Sequence, residues 1–362
     1  MSKLGLTVLA LLTLAIIGCE KEIHNIPPDN GQPLQERLLE YLNQCEIEGF
    51  SGSVLIQLSD SILIQQGYGK SNRAENIENS INTIFDIGSV TKQFTASAIL
   101  KLEMDELIDL SNSIGTHVSG LTNEKSALTI HQLLTHTSGL QESVGGDEEQ
   151  ISKNDFIVRV NQTNLKHTPG EKYRYSNIGY SLLGILIEEV SSMTYENYVR
   201  ENLFLPAGMS NTGYIIPNWD NENLALGYRK KRGYGSPIDQ NWNEEGPSWH
   251  MKGNGGILTN VNDMYLWHKA LLDNTIINEE AKEMMYSKHT NEGDNTSFYG
   301  YGWAIFPTNR GTDLITHNGG NDYFFADFLR FINEDVVIII LSNDYNVYAQ
   351  ELSSQLRRII FE

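Results

Sequence analysis

Cysteine, proline and basic side chains are all scarce in this sequence. Two cysteines in 362 residues, Cys19 and Cys45, cannot form a disulfide framework. Lys and Arg number 26 against 46 Asp and Glu, for a formal net charge of −20. Such a surface repels phosphate backbones, so nucleic acid is not expected as a partner. No His-Glu-x-x-His or paired-cysteine pattern occurs, and His131 and His136 stand at a spacing that does not align two ligands on one helical face, so no metal site is expected. No Gly-x-x-x-x-Gly-Lys-Ser/Thr is present, and Gly253-Asn254-Gly255-Gly256 lacks the strand and spacing of a dinucleotide loop, so no cofactor is implied. Gly-x-Ser-x-Gly is absent too, which argues against an α/β-hydrolase nucleophile elbow.

What is present begins with Met-Ser-Lys and an uncharged apolar run, Leu4 to Gly18, too short to span a bilayer and ordered like a secretory signal peptide. Ile16-Ile17-Gly18-Cys19 resembles a bacterial lipoprotein processing site. Residues 1–18 are therefore expected to be removed and Cys19 acylated as a membrane anchor; the alternative is an ordinary signal peptide with Cys19 incidental. Glu20 is not the aspartate that commonly marks inner-membrane retention, so the expected location is the outer membrane, facing the periplasm or the exterior. Residues 19–33, with Pro27, Pro28, Gly31 and Pro33, read as a tether, and the folded part as 34–362.

Within that part, Leu34, Leu38, Leu39, Leu42 and Cys45 recur at helical spacing, with Cys45 in the core. Ser53–Leu58 and Ile62–Gly69 flank Ser59-Asp60-Ser61 as a β-hairpin. The pattern from Ser89 to about Leu140 is helical, with Thr129 capping a helix over Ile130–Thr135, and a second helical stretch runs from Tyr180 to Leu203. A polar, Gly- and Asn-rich segment follows to about Gly256. Leu314–His317, Tyr323–Phe331 and Val336–Ser342 read as strands, and Val347–Ile360 as an amphipathic helix. Strands at both ends with helices between predict an α+β fold. One antiparallel sheet would form from about 34–88 and 250–362, with a mainly helical insertion over about 89–249.

Ser89-Val90-Thr91-Lys92 sets a hydroxyl and an amine three residues apart at a helix start, on one face. There the amine can take the serine proton if burial lowers its pKa, and the serine amide can donate to an oxyanion. Ser-x-x-Lys alone is expected by chance about once in such a chain. No other lysine here has a serine three residues before it, and Phe85-Asp86-Ile87-Gly88 leads straight into the apolar helix of Phe94, Ala98, Ile99 and Leu102. Tyr-x-Asn occurs at Tyr41, Tyr175 and Tyr195, of which the first and last fall inside helix patterns as packing residues. Tyr175-Ser176-Asn177 enters a helix from a loop, where a phenol beside an ammonium can have its pKa lowered. His317-Asn318-Gly319-Gly320 follows a strand, and its glycines let backbone amides approach a substrate. The competing Lys231-Arg232-Gly233 lies in a polar loop with no strand expected beside it.

In that order, Ser89-x-x-Lys92, Tyr175-x-Asn177 and His317-x-Gly319 resemble the three motifs of the penicillin-recognising serine hydrolases. The nearest groups are class C β-lactamases, their esterase relatives and D-Ala-D-Ala carboxypeptidases. Leu133 to Leu140, Leu205 to Met209, Gly253 to Ile257 and Tyr301-Gly302-Trp303 also resemble recurrent family segments, so the likeness covers roughly residues 34–362. It implies a β-lactamase/transpeptidase-like fold with Ser89 as nucleophile and Lys92 and Tyr175 as proton carriers. Asn177 would orient Lys92 and the substrate, the amides of Ser89 and Gly320 would form an oxyanion hole, and Trp303 would line the site.

One departure matters. Many relatives have Lys-Thr-Gly where this chain has His317-Asn318-Gly319, and that lysine helps to hold a substrate carboxylate. Histidine is only partly charged near neutral pH, so weaker carboxylate binding and poor β-lactam turnover are expected. No glutamate of the class A type is visible to activate a deacylating water. The expected substrates are an ester, a D-amino-acid peptide or a related amide. The rival expectation is a sensing protein that is acylated once or merely holds cell-wall peptide. The oligomeric state is not legible.

Overall fold

The computed structural model describes residues 31–362 except 220, 221, 230, 231, 240 and 241. The expected signal peptide, Cys19 and most of the tether lie outside the described residues.

The chain enters through helix α1 (Leu34–Glu48), which buries Leu38, Tyr41, Leu42 and Cys45. It ends at Gly49, whose left-handed backbone lets its amide reach Cys45 O. Strands β1 (Gly52–Leu58) and β2 (Ser61–Tyr68) form the expected hairpin. The other strands come from the C-terminal third: β3 (Thr290–Asn291), β4 (Phe298–Tyr299), β5 (Ala304–Pro307), β6 (Asp313–Gly320), β7 (Phe325–Phe331) and β8 (Val336–Ser342). Together they make one eight-stranded antiparallel sheet of order β2-β1-β8-β7-β6-β5-β4-β3.

The N- and C-terminal parts meet where β1 pairs with β8, from Gly52 opposite Ser342 to Leu58 opposite Val336. The sequence of β8 is an unbroken apolar run because both faces of this central strand are covered. Val336, Ile338 and Ile340 point into the core beneath α1 and the C-terminal helix, and Val337, Ile339 and Leu341 into the larger core against the helical region. Strands β3, β4 and β5 were not foreseen. They are two to four residues long, too short for a period-two pattern to register.

Four of the remaining helices among the described residues are ten residues or longer. Helix α2 (Lys92–Met104) is preceded by a single 3₁₀ turn, Gly88–Thr91, and its residues from Lys92 to Leu100 are all buried. A helix covered on every side must satisfy its polar side chains internally: Thr95 Oγ1 donates to Gly253 O and Ser97 Oγ to Gln93 O. Helix α3 (Asn177–Ser191) begins three residues before the expected start, capped by Ser176 Oγ, which accepts from the Gly179 amide. Helix α4 (Val261–Ala270) packs on β8 and β1, and α5 (Val347–Phe361) lies beside α1. Thr129 and Gln132 form a reciprocal capping box at the short helix Ile130–Leu134. The Arg232–Gly235 stretch, read as loop, pairs as a strand with Gly227–Arg229; Lys231 lies outside the described residues.

The sheet meets α2 at glycine contacts. A Cβ on Gly302, whose φ is +75°, would lie 2.8 Å from Lys92 O and 2.9 Å from Gln93 Cα. Gly302→Ala is therefore expected to cost about 2–4 kcal/mol through left-handed strain and overlap with the helix backbone. A lower urea midpoint at unchanged m-value is the expected reading; an unchanged midpoint refutes it.

Candidate active site

Ser89 lies in the 3₁₀ turn and Lys92 opens α2, so the two share a face as the spacing demands. Gly88 and Gly319 press this turn against the end of β6. A Cβ on Gly88 would come within 2.3 Å of Gly320 N, and one on Gly319 within 2.5 Å of Ser89 N. Only glycine fits either position, and the amides of Ser89 and Gly320 are thereby brought side by side. Asp86 ties the same corner together: its carboxylate accepts from the Gly88 amide at 2.7 Å and from Asn321 Nδ2 at 2.9 Å. Burial raises its pKa to about 6.

Lys92 has no exposed surface, yet its three partners are neutral. Its Nζ lies 3.1 Å from Ser89 Oγ, 2.8 Å from Asn177 Oδ1 and 2.7 Å from Asn254 O. The two carbonyl oxygens can only accept, whereas the serine hydroxyl can also donate. The arrangement serves both protonation states: an ammonium donates to all three oxygens, and a neutral amine donates to Asn177 and Asn254 while its lone pair accepts the Ser89 hydroxyl proton. Burial lowers the Lys92 pKa to about 7, against the opposing pull of Asp147 and Glu142.

Tyr175 shares a hydrogen bond with Ser89, and its ring centroid stands 4.8 Å from Lys92 Nζ. The expectation that a neighbouring ammonium would lower its pKa fails: burial raises it well above that of a free phenol, with Glu142 and Glu292 adding to the effect. Tyr175 is a protonated donor at neutral pH. Its loop is held by His136, which is fully buried; the carbonyl accepts from the Arg174 amide at 2.8 Å and Nδ1 from the Ser176 amide at 3.1 Å. The His136 imidazole packs 4.3 Å from the Tyr175 ring. His131 turns elsewhere, to the Tyr301 hydroxyl at 2.7 Å.

His317 is also buried. Its Nδ1 donates to Asn318 O at 2.6 Å, leaving Nε2 to accept from the Tyr299 hydroxyl at 3.0 Å. Burial and the nearby Lys92 lower its pKa to about 3. The imidazole is therefore neutral, not partly charged as expected, and both nitrogens are engaged. Trp303 is a further correction: its exposure is zero, and it packs against Phe328, Tyr286 and Arg330 in the core instead of lining the site.

Three participants escaped sequence reasoning. Asn254 contributes its backbone carbonyl, held in place by Asn254 Nδ2 bonds to Ser181 Oγ and His250 O. Glu142 accepts the amides of Asn177 and Ile178 on its own carbonyl, and its carboxyl, whose pKa is raised by burial, acts electrostatically on Lys92 and Tyr175. Asp147 acts on Lys92 from the same loop. The signal available was the acidic, glycine-containing stretch Gln141–Gln150 directly after the Leu133–Leu140 segment.

Residues 38–357 match the Beta-lactamase family. Protein flp of Staphylococcus aureus (strain COL) is 27% identical over 344 residues, covering 91% of this chain; the chain spans 66% of that protein's length. The octameric penicillin-binding protein homologue from Pyrococcus abyssi superposes with a TM-score of 0.76 at 25% identity, over 89% of this chain and 77% of that one. The D-amino acid amidase from Ochrobactrum anthropi SV3, complexed with L-phenylalanine, has the same fold, with a TM-score of 0.74 at 20% identity over 89% and 97% of the two chains.

The His317 geometry has a direct spectroscopic consequence. Its ring is expected to keep the Nδ1–H tautomer, without titrating, from pH 8 to pH 5 in long-range ¹H–¹⁵N spectra. A titration midpoint near 6.5 contradicts the assignment.

Proposed function

The chain belongs to the β-lactamase family, and from that premise we propose that it is a serine hydrolase acting through an acyl-enzyme on Ser89. The observation that carries this reading is the fully buried Lys92 amine, bonded to two obligate acceptors and to the Ser89 hydroxyl. A lysine so placed is a base at neutral pH.

The steps follow from the contacts. Neutral Lys92 takes the Ser89 proton as Oγ bonds to the substrate carbonyl carbon. Charge on the carbonyl oxygen is met by the amides of Ser89 and Gly320. The bond to the leaving group then breaks, and the proton passes from Lys92 through the Tyr175 hydroxyl to the departing oxygen or nitrogen. Water attacks the ester in the reverse sense, giving its proton to Lys92 and returning Ser89 Oγ–H. Asn177 holds the amine in line, and His317 supports the wall as a neutral ring. The substrate class proposed is an ester or amide. The amidase with this fold supports amide cleavage, and the absence of a lysine at position 317 counts against efficient β-lactam turnover. Export and anchoring through Cys19 belong to this proposal on the strength of residues 1–19 alone.

Ser89→Ala is expected to abolish labelling by a fluorophosphonate, read by intact-protein mass, and to cut ester turnover at least about 10³-fold while the protein stays folded. Retained labelling refutes the assignment of the nucleophile. A stoichiometric adduct without turnover would favour the sensing role.

The lowered Lys92 pKa sets the pH dependence. Below about 7 the amine carries a proton and cannot accept another; above it the amine is free. The kcat/KM for a neutral ester is expected to rise with pH through a midpoint near 7. A profile flat from pH 5 to pH 9 excludes Lys92 as the base.

A further inference from the structure

An oxyanion hole aims two N–H groups at one point, and two donors so aimed cannot bond to each other. Something else must hold them together. The walls of this hole are the turn that carries Ser89 and the end of β6 that carries Gly320. Glycines let the walls touch, a Cβ on Gly88 lying 2.3 Å from Gly320 N. Among the described residues, no backbone hydrogen bond joins residues 86–90 to residues 317–324. The bond that spans the two walls runs between side chains, from Asn321 Nδ2 to Asp86 Oδ2 at 2.9 Å.

The polarity of that bond is fixed at both ends by backbone amides, which can only donate. Asn321 Oδ1 accepts the amides of Tyr323 and Phe324, each at 2.8 Å, in the turn between β6 and β7. Its Nδ2 is thereby the group left to face Asp86, as a donor. On the other wall Asp86 Oδ1 accepts the Gly88 amide at 2.7 Å, so Oδ2 is left to accept from Asn321. Position 86 must offer two acceptors, which a carboxylate does and a carboxamide does not. The carboxylate is held at a cost: Asp86 is buried, and among the described residues no cation is paired with it. Its backbone is anchored in the short strand Phe85–Asp86, which pairs with Leu258–Thr259.

We propose that Asp86 and Asn321 are positioning residues for the oxyanion hole, a latch keyed by polarity that fixes the Gly320 amide relative to the Ser89 amide. The inference deepens the proposed function and rests on the acyl-enzyme reading of Ser89. Neither side chain meets the reacting atoms; Asp86 acts through Gly88 and Asn321 through the turn that follows Gly320. Their effect falls on the transition state, where charge gathers on the substrate carbonyl oxygen.

The test reverses the key. D86N alone sets one Nδ2 group against another, and N321D alone sets two carboxylates face to face. The double exchange D86N/N321D restores every donor–acceptor pair at unchanged net charge. Wild type and the three variants are assayed at pH 8, where a proton shared between facing carboxylates is least available. The substrates are p-nitrophenyl acetate and its thionoacetate analogue, whose sulfur accepts hydrogen bonds poorly. Each single variant is expected to lose at least about tenfold in kcat/KM for the acetate, and at least about fivefold in the ratio of acetate to thionoacetate. A merely structural role would lower the urea midpoint and leave that ratio unchanged. The double exchange is expected to bring both quantities back to within about threefold of wild type. A wild-type ratio in a folded single variant would overturn the proposal, as would a double exchange that does not fold or whose ratio stays at least about fivefold below wild type. Where a single variant does not fold, the double exchange decides by the same criterion. Absence of p-nitrophenolate release by the wild type, or its persistence in Ser89→Ala, would instead overturn the catalytic reading itself.

Discussion

A primary amine buried among neutral partners is the constraint on which the rest of this protein turns. Lys92 has no exposed surface, and its nearest contacts are a hydroxyl and two carbonyl oxygens. An ammonium there would lack the compensation that a contacting carboxylate supplies, so the amine is held near neutrality. That state requires three segments distant in sequence to converge: the 3₁₀ turn, the start of α3 and the Gly253–Gly256 stretch. Each is fixed by its own bonds. Thr95 Oγ1 donates to Gly253 O at 2.6 Å, Tyr214 Oη to Gly255 O at 2.9 Å, and Ser176 Oγ caps α3.

Around this amine the protein separates structural from electrostatic duties. His136 and His317 are both buried and neutral, and both act through hydrogen bonds and ring contacts on neighbouring tyrosines. Charges act on Lys92 from an acidic loop anchored through the Glu142 carbonyl, and on Tyr175 from Glu142 and Glu292. Glu149, farther along it, is paired with Arg159 and lies 3.5 Å from His250, tying the loop to the helix Lys153–Asn161.

How much of this was legible depended on the range of the interactions. Helix α1, the β1–β2 hairpin, β8 and α5 were readable because burial of one stripe, or of both faces, prints a period of 3.6, 2 or none on the residues themselves. The Thr129 cap was readable because its partner is three residues away. The Arg232–Gly235 strand was missed because its pairing stabilises a polar segment with no apolar signature. Trp303 was misplaced because an aromatic residue beside a strand can face either the cleft or the core, and here it packs with Phe328, Tyr286 and Arg330. The pKa shift of Tyr175 was misread because burial, which no local pattern encodes, outweighs a neighbouring charge.

By itself the sequence determined the elements and the order of the chemical groups: Ser89 and Lys92 on one helical face, Tyr175 and Asn177 at a helix entrance, and His317 with its glycines at a strand end. Their types and short spacings are set by local backbone geometry. Tertiary structure alone decided the protonation states and the surroundings: a Lys92 amine whose pKa is lowered to about 7, a protonated Tyr175, a neutral His317, the Asn254 carbonyl and the acids of the 141–150 loop. Those depend on desolvation and on contacts across scores of residues, quantities that exist only once the chain has closed on itself.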